Sequence, residues 1–257
     1  AKKPLVVTAR VKRLFVTLSV LFLLVGAVLW FIVRNPVGAL LLAIFSSLVW
    51  LWVWLALLIN TPMEKMVATH YINDARARIQ SVPDLTVIGI TGSYGKTSTK
   101  NFLHALLSVK YNVLMTPESF NTTMGVVRTI REHLSPTHRI FIAEMGAKNP
   151  GDIKEICDLV HPRYGILTSI GEQHLETFKT VDNIVRTKFE LVDALPENGA
   201  AFLNLDNAYI RGRAVTNVPV VGYGVEDGHG AAYVATDITV GSSGSSFTVT
   251  APNGESR

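Results

Sequence analysis

One cysteine, Cys157, stands in 257 residues, which excludes an intrachain disulfide and any zinc site built on cysteine. Charge is sparse as well: Asp, Glu, Lys and Arg make up 17% of the chain, against 48% hydrophobic residues. The mean hydropathy of +0.30 comes largely from residues 1–60, and the remainder has the composition of an ordinary soluble domain. No basic stretch is interleaved with aromatics, so nucleic acid is not indicated as a partner. The net charge of +4 owes much to Lys2, Lys3, Arg10, Lys12 and Arg13, which occur without an acidic residue among them. That suits an anionic lipid surface. Cys157 itself is expected to be a buried helix residue.

What the beginning of the chain has in excess is apolar length. Leu14 to Val33 is apolar apart from Thr17 and Ser19, and after Arg34-Asn35-Pro36 a second run extends from Val37 to Ile59. At about 1.5 Å per residue, each is long enough to cross a hydrocarbon core of about 30 Å. Trp30, Trp50, Trp52 and Trp54 are of a type common near membrane interfaces. The expectation is a two-helix transmembrane hairpin within residues 1–60. The basic amino terminus and the single Arg34 in the turn put both ends of the hairpin in the cytoplasm. A cleaved signal peptide has an apolar core of about 7–15 residues; this one is longer and a second run follows.

Residues 86–98 carry the clearest chemistry. The apolar run Val87 to Ile90 reads as a buried parallel strand. It breaks into Thr91-Gly92-Ser93-Tyr94-Gly95, and Lys96-Thr97-Ser98 opens a helix. Backbone N–H groups of such a loop and the positive end of a helix hold phosphate oxygens. Lys96 would neutralise the outer phosphates and the Thr97 hydroxyl would ligate Mg²⁺. The strict pattern GxxxxGK[ST] asks for glycine at position 90, where this chain has Ile90.

Thr61-Pro62-Met63-Glu64 has the form of a helix start, with a threonine cap and proline in the first turn. That helix is expected to run to about Gln80, making residues 61–84 a linker between the apolar segment and a domain at 85–257. Strands are expected at 86–91, 112–115, 139–144, 164–170, 200–205 and 218–222. Helices are expected at 96–108, 124–134, 151–160, 181–195 and 207–213. The alternation predicts an α/β fold with a mostly parallel P-loop sheet. Strands at 232–240 and 246–250 read as a small antiparallel appendage. Asn253-Gly254-Glu255-Ser256-Arg257 reads as a hairpin turn without its second strand, and so as a truncated end.

In open α/β sheets, ligands gather beyond the carboxyl ends of the strands. Glu144 ends one expected strand, His174 follows another, and Asn121-Thr122 lies between a strand and a helix. Taken singly, a glutamate or a histidine is more often structural; their shared location with a phosphate loop favours function. Lys188 falls inside the apolar stripe Ile184, Val185, Leu191, Val192 and Leu195. Two readings fit it: a side chain snorkelling from the stripe edge, or a buried amine of lowered pKa. A neutral lysine amine also adds CO₂ to give an anionic carbamate able to bind metal.

With these residues quoted, the segment from about 85 to 257 resembles the ATP-binding central domain of the Mur ligases. Thr91 to Ser98 is similar to their TGxxGKT[ST] loop, which also lacks the first glycine. Ala143-Glu144-Met145-Gly146-Ala147 and His174-Leu175-Glu176 are most similar to the MurF type. The resemblance implies ATP and Mg²⁺ as cofactors, with Lys96 on the β- and γ-phosphates. It implies one Mg²⁺ on Thr97 and Glu144 and a second on His174, with Lys188 as the family lysine that is often carbamylated. Asn121 and Thr122 would face the acceptor substrate. Asn204 and Asp206 close a strand, either beside the nucleotide or in a plain turn. The implied activity is that of an ATP-dependent amide ligase of peptidoglycan precursor synthesis. It adds an amino acid or D-Ala-D-Ala to a muramoyl-peptide carboxylate, UDP-linked or lipid-linked, through an acyl phosphate. The implied location is the bacterial cell membrane, with the catalytic domain cytoplasmic. On this resemblance the family's usual amino- and carboxy-terminal domains are expected to be missing from residues 1–257.

Three other functions compete with this one. A MurT-like amidating ligase on lipid-linked precursor usually carries a cysteine-rich zinc ribbon, and this chain has one cysteine. A membrane-tethered P-loop NTPase switch or motor would hydrolyse ATP without an acceptor. A degenerate scaffold would not be expected to keep Lys96, Thr97, Glu144, His174 and Lys188 together.

Overall fold

The computed structural model describes residues 7–32, 36–172, 175–226, 228–242 and 244–256. The chain divides into two units, Ala1–Tyr71 and Ile72–Arg257. The first consists of helices α1 (Ala9–Ile32), α2 (Pro36–Ser47) and α3 (Val49–Gln80), with α3 continuing into the second unit. Within the first unit α3 runs back along α1. The Arg13 guanidinium meets Glu64 at 2.7 Å, the Thr17 hydroxyl donates to Asn60 at 2.9 Å, and Phe22, Phe45 and Trp52 form an aromatic cluster.

Two expectations change in this unit. The second apolar run is not one helix, because the chain breaks at Leu48 between α2 and α3. The Ser47 hydroxyl donates to the Ile44 carbonyl and the Trp52 indole N–H to the Phe45 carbonyl, so the carbonyls released by the break are satisfied by side chains. Among the described residues one helix, over Ala9–Leu29, is long and apolar enough to cross a membrane. The expected helix start at Thr61-Pro62 is also absent: Pro62 lies inside α3. Thr61 does not cap forward; its hydroxyl turns back onto the Leu57 carbonyl at 2.8 Å.

The second unit is built on an eight-stranded sheet in the order β2-β3-β1-β4-β5-β6-β7-β8. Its strands are β1 (Thr86–Thr91), β2 (Val113–Met115), β3 (Ile140–Glu144), β4 (Tyr164–Leu167), β5 (Ala200–Asn204), β6 (Val220–Val225), β7 (Tyr233–Gly241) and β8 (Gly244–Thr250). All pairings are parallel except β7 with β8. The appendage expected after Gly224 is therefore part of the main sheet: β7 lies parallel to β6, and only β8 turns back. Thr250 pairs with Ser256 across the turn at Gly254, so the terminal residues do form their hairpin bridge.

Helices α4 (Lys96–Leu107), α5 (Thr123–His133), α6 (Asp152–Val160), α8 (Val181–Asp193) and the one-turn α7 (Leu175–Phe178) and α9 (Ala208–Arg211) connect the strands. Strand side chains alternate between faces. Ile88, Ile90, Ile140 and Ile142 project to one side, where Leu103 and Leu107 of α4 pack on them. On the other side α8 lies so close that a Cβ on Gly89 would stand 2.6 Å from Leu191 Cδ1. The carboxyl-terminal part of α3 is tied to α5 by Asp74, which takes hydrogen bonds from Arg78 and Arg131. Because β3 and β4 flank β1 on opposite sides, the end of β1 is the topological switch point, the position where such sheets bind ligands.

Candidate active site

At that point β1 delivers Thr91 and the chain turns through Gly92. Glycine is required there: φ is +151°, and a Cβ would stand 2.1 Å from the Thr168 hydroxyl. The loop is braced from the end of β4. Ser93 N–H donates to the Ser169 carbonyl at 2.7 Å and Tyr94 N–H to the Ser169 hydroxyl at 3.0 Å, while the Thr168 hydroxyl donates to the Tyr94 carbonyl at 2.6 Å. Gly95, at φ 82°, precedes α4 without supplying a side-chain cap. The N–H groups of the first helical turn, Lys96 to Ser98, have no intrahelical acceptor, so this end of α4 offers donors and positive potential to an anion.

Lys96 Nζ folds over the loop, donating to the Gly92 carbonyl at 2.6 Å and the Ser93 carbonyl at 3.1 Å. Burial holds its pKa below the ordinary lysine value, and the charge of Glu144 opposes that shift. The Thr97 hydroxyl donates to Glu144 Oε2 at 3.0 Å, and the Asn121 amide donates to Glu144 Oε1 at 3.1 Å. Glu144 is 1% exposed. Its own N–H donates to the Thr116 hydroxyl, and the Gly146 N–H donates to the Asn121 carbonyl, so the 116–122 loop and the end of β3 are joined. Thr122 caps α5 by accepting from Gly125 N–H.

Lys96, Asn121 and Thr122 line one cleft of about 390 Å³ together with Lys188, Lys148 and Asp152. Lys188 on α8 is 5% exposed. Burial, reinforced by the nearby Lys96 charge, lowers its pKa to about 8, with Glu190 and Asp152 opposing. Of the two readings of Lys188, the buried amine is the one observed. Glu190 keeps α8 in place against α6: its carboxylate accepts from Gly151 N–H at 2.7 Å and Lys154 N–H at 2.9 Å.

The other expected site residues are distributed as follows. Ser98 and Tyr94 are exposed at the loop. Asn204 donates to the Thr168 carbonyl and accepts from Asp206 N–H, and Asp206 accepts from Val225 N–H, so these residues organise a turn beside the loop. His174 lies outside the described residues. Cys157 is buried in α6, and burial pushes its thiol up to about 12. Lys100 was missed. It is 1% exposed and pairs with Glu144 Oε2 at 2.9 Å. Its position in the stripe it shares with Leu103 and Leu107 was the available signal.

A divalent metal fits what is present. Mg²⁺ prefers hard oxygen donors, and in nucleotide sites it takes one or two from protein and the rest from phosphate and water. Thr97 and Glu144 supply one hydroxyl and one carboxylate oxygen at the rim of the phosphate loop. No group of three or more His, Cys, Asp or Glu able to hold a metal by themselves occurs among the described residues.

Known proteins share this fold. The Mur ligase middle domain family matches residues 90–257. The UDP-N-acetylmuramoyl-tripeptide–D-alanyl-D-alanine ligase of Escherichia coli is 31% identical over 208 residues, covering 77% of this chain and 46% of that protein. The enzyme of the same name from Mycobacterium leprae is 37% identical over 134 residues, 52% of this chain and 26% of its own length. The chain thus spans less than half the length of these relatives. Among solved structures, the MurF ligase of Thermotoga maritima in complex with ADP superposes with a TM-score of 0.67 at 29% identity, covering 73% of this chain and 43% of the other. MurF from Acinetobacter baumannii gives 0.66 at 27% identity over the same share of this chain and 40% of its own. By its phosphate loop, its sheet and the match over residues 90–257, the chain belongs to the Mur ligase family.

Proposed function

We propose that this chain carries the ATP site of a MurF-type ligase that joins D-alanyl-D-alanine to a muramoyl-tripeptide. The observation that carries the reading is the contact between the Thr97 hydroxyl and Glu144 at the foot of a phosphate loop, within a fold matched at 29% identity to a MurF ligase that binds ADP. The substrate carboxylate attacks the γ-phosphorus of ATP, forming an acyl phosphate and breaking the bond to ADP. The amine of the dipeptide then attacks the acyl carbon, and phosphate leaves as the amide forms.

Both steps bring anions together, so the protein's contribution is chiefly electrostatic. Lys96 and the first turn of α4 hold the phosphates and take up charge developing on the leaving group. Asn121, fixed by Glu144, and Thr122 line the side of the cleft open to an acceptor. Thr97 and Glu144 would hold Mg²⁺, which would supply positive charge to offset that of the phosphates. Lys188, with a pKa of about 8, has a neutral fraction at physiological pH able to add CO₂ with loss of a proton.

The same reading extends to location. Helix α1 carries exposed Phe15, Leu23 and Phe31 and begins beside Arg10, Lys12 and Arg13. It is suited to burial in a bilayer, with its basic residues against anionic headgroups of the cytoplasmic leaflet. One experiment tests both parts: phosphate release by the complete gene product, assayed in carbonate-washed membranes with Mg²⁺, ATP and muramoyl-tripeptide. Release that requires D-alanyl-D-alanine is expected in the washed membranes. Release without the dipeptide would favour the NTPase switch, and activity confined to the soluble fraction would exclude the anchor.

A further inference from the structure

Lys100 is a buried lysine that the ligase chemistry leaves unused. It lies one helical turn beyond Lys96, and its ammonium is 2.9 Å from Glu144 Oε2, both side chains being 1% exposed. The same ammonium donates to the Glu118 carbonyl, in a loop where Glu118 adopts the left-handed conformation at φ 42°. Glu144 Oε2 is also the oxygen that accepts from Thr97. A fixed cation therefore sits on the carboxylate oxygen that a metal would share with Thr97.

The charge around this oxygen is one-sided. Glu144 is paired directly with Lys100 and feels the charge of Lys96 as well. The two acidic residues farther along the cleft are already engaged, Asp152 by Lys148 and Asn149 N–H groups and Glu155 by the Thr123 hydroxyl at 2.6 Å. A free divalent cation entering alone at Glu144 meets the Lys100 and Lys96 ammoniums in a buried setting, where such repulsion is weakly screened. A triphosphate reverses that balance, because it brings more negative charge than the site's cations carry.

We propose, resting on the nucleotide reading above, that Lys100 is a resident counter-ion of Glu144 that closes the site to free divalent metal, so that metal enters together with nucleotide. Lys100 is a positioning residue: it touches Glu144 and the 116–122 loop, and it acts through them. A merely structural lysine gives the opposite response when its charge is removed, since a loosened Glu144 would bind metal less well.

Mn²⁺ serves as the probe, with binding to the full chain in detergent followed by electron paramagnetic resonance. Wild type should bind Mn²⁺ weakly alone and at least about ten-fold more tightly with ATP. Lys100→Met should bind Mn²⁺ without nucleotide on the order of ten-fold more tightly than wild type. Lys100→Arg, which keeps the charge, should remain weak. Lys100→Gln, which keeps a donor for the Glu118 carbonyl, replaces the methionine variant if that one fails to melt cooperatively. Tight nucleotide-free binding by wild type, or no gain in a folded neutral variant, would overturn the role of Lys100 while leaving the nucleotide site standing. Absence of ATP-dependent Mn²⁺ binding in wild type would overturn both.

Discussion

Lys188 concentrates the energetic conflict of the site in one side chain. Its folded-state pKa of about 8 lies below the ordinary 10.5, so the unfolded chain holds the proton more tightly. Below pH 8 both states are protonated and the folded protein carries the whole cost of burying the charge. Between about pH 8 and 10.5 the unfolded chain binds the extra proton, so stability rises with pH across that window. The separation corresponds to on the order of 3 kcal/mol. Lys188→Met should therefore be more stable than wild type at pH 7 by roughly that amount, with the difference vanishing by pH 10.5 in urea titrations followed by circular dichroism. A difference independent of pH would contradict the assignment. At this scale the phosphate loop was legible because its chemistry is local: a strand, glycines, a lysine and a hydroxyl occur in sequence. Lys100 and Glu190 were not, because what makes them matter is a partner far along the chain, Glu144 for one and the start of α6 for the other.

Elements place these residues by close approach. Gly89 in β1 leaves the space that Leu191 of α8 fills, and Gly165 in β4 lies against Leu191 and Leu195 in the same way. A methyl group at Gly89 would meet the Leu191 Cδ1 methyl at 2.6 Å, and because Leu191 is fully buried the strain passes to α8. Gly89→Ala should cost about 1–3 kcal/mol, and by lifting α8 it should wet Lys188 and move its pKa up toward the ordinary lysine value. Carbon-13 NMR of the methylated lysines reads that shift directly; a lysine pKa unchanged in a destabilised variant would mean that α8 does not carry Lys188 as described. Strands and helices of the α/β unit were readable from period and turn residues, with β1 spanning the expected residues. The errors have a physical pattern. Pro62 lacks only one helix donor, and a continuous helix closed over it. The break at Leu48 is supported by Ser47 and Trp52 side chains, which apolar length alone does not reveal. The placement of β7 beside β6 depends on a pairing between separate strands that local alternation cannot encode.

For the molecule as a whole, two chemistries are joined in one chain: an apolar helical unit beginning at a basic terminus, and a Mur ligase middle domain whose site gathers Lys96, Thr97, Glu144 and Lys188 at one switch point. Family membership explains the second, and the first lies outside the residues that the family matches. The α/β unit is expected to bind ATP through its phosphate loop. Calorimetric titration of the chain with Mg–ATP tests it most directly, in wild type and in Lys96→Ala. Saturable binding is expected of wild type and a loss of at least about ten-fold in affinity of the variant, since the ammonium that neutralises the outer phosphates is removed. Equal binding by the two proteins, or none by wild type, would contradict it.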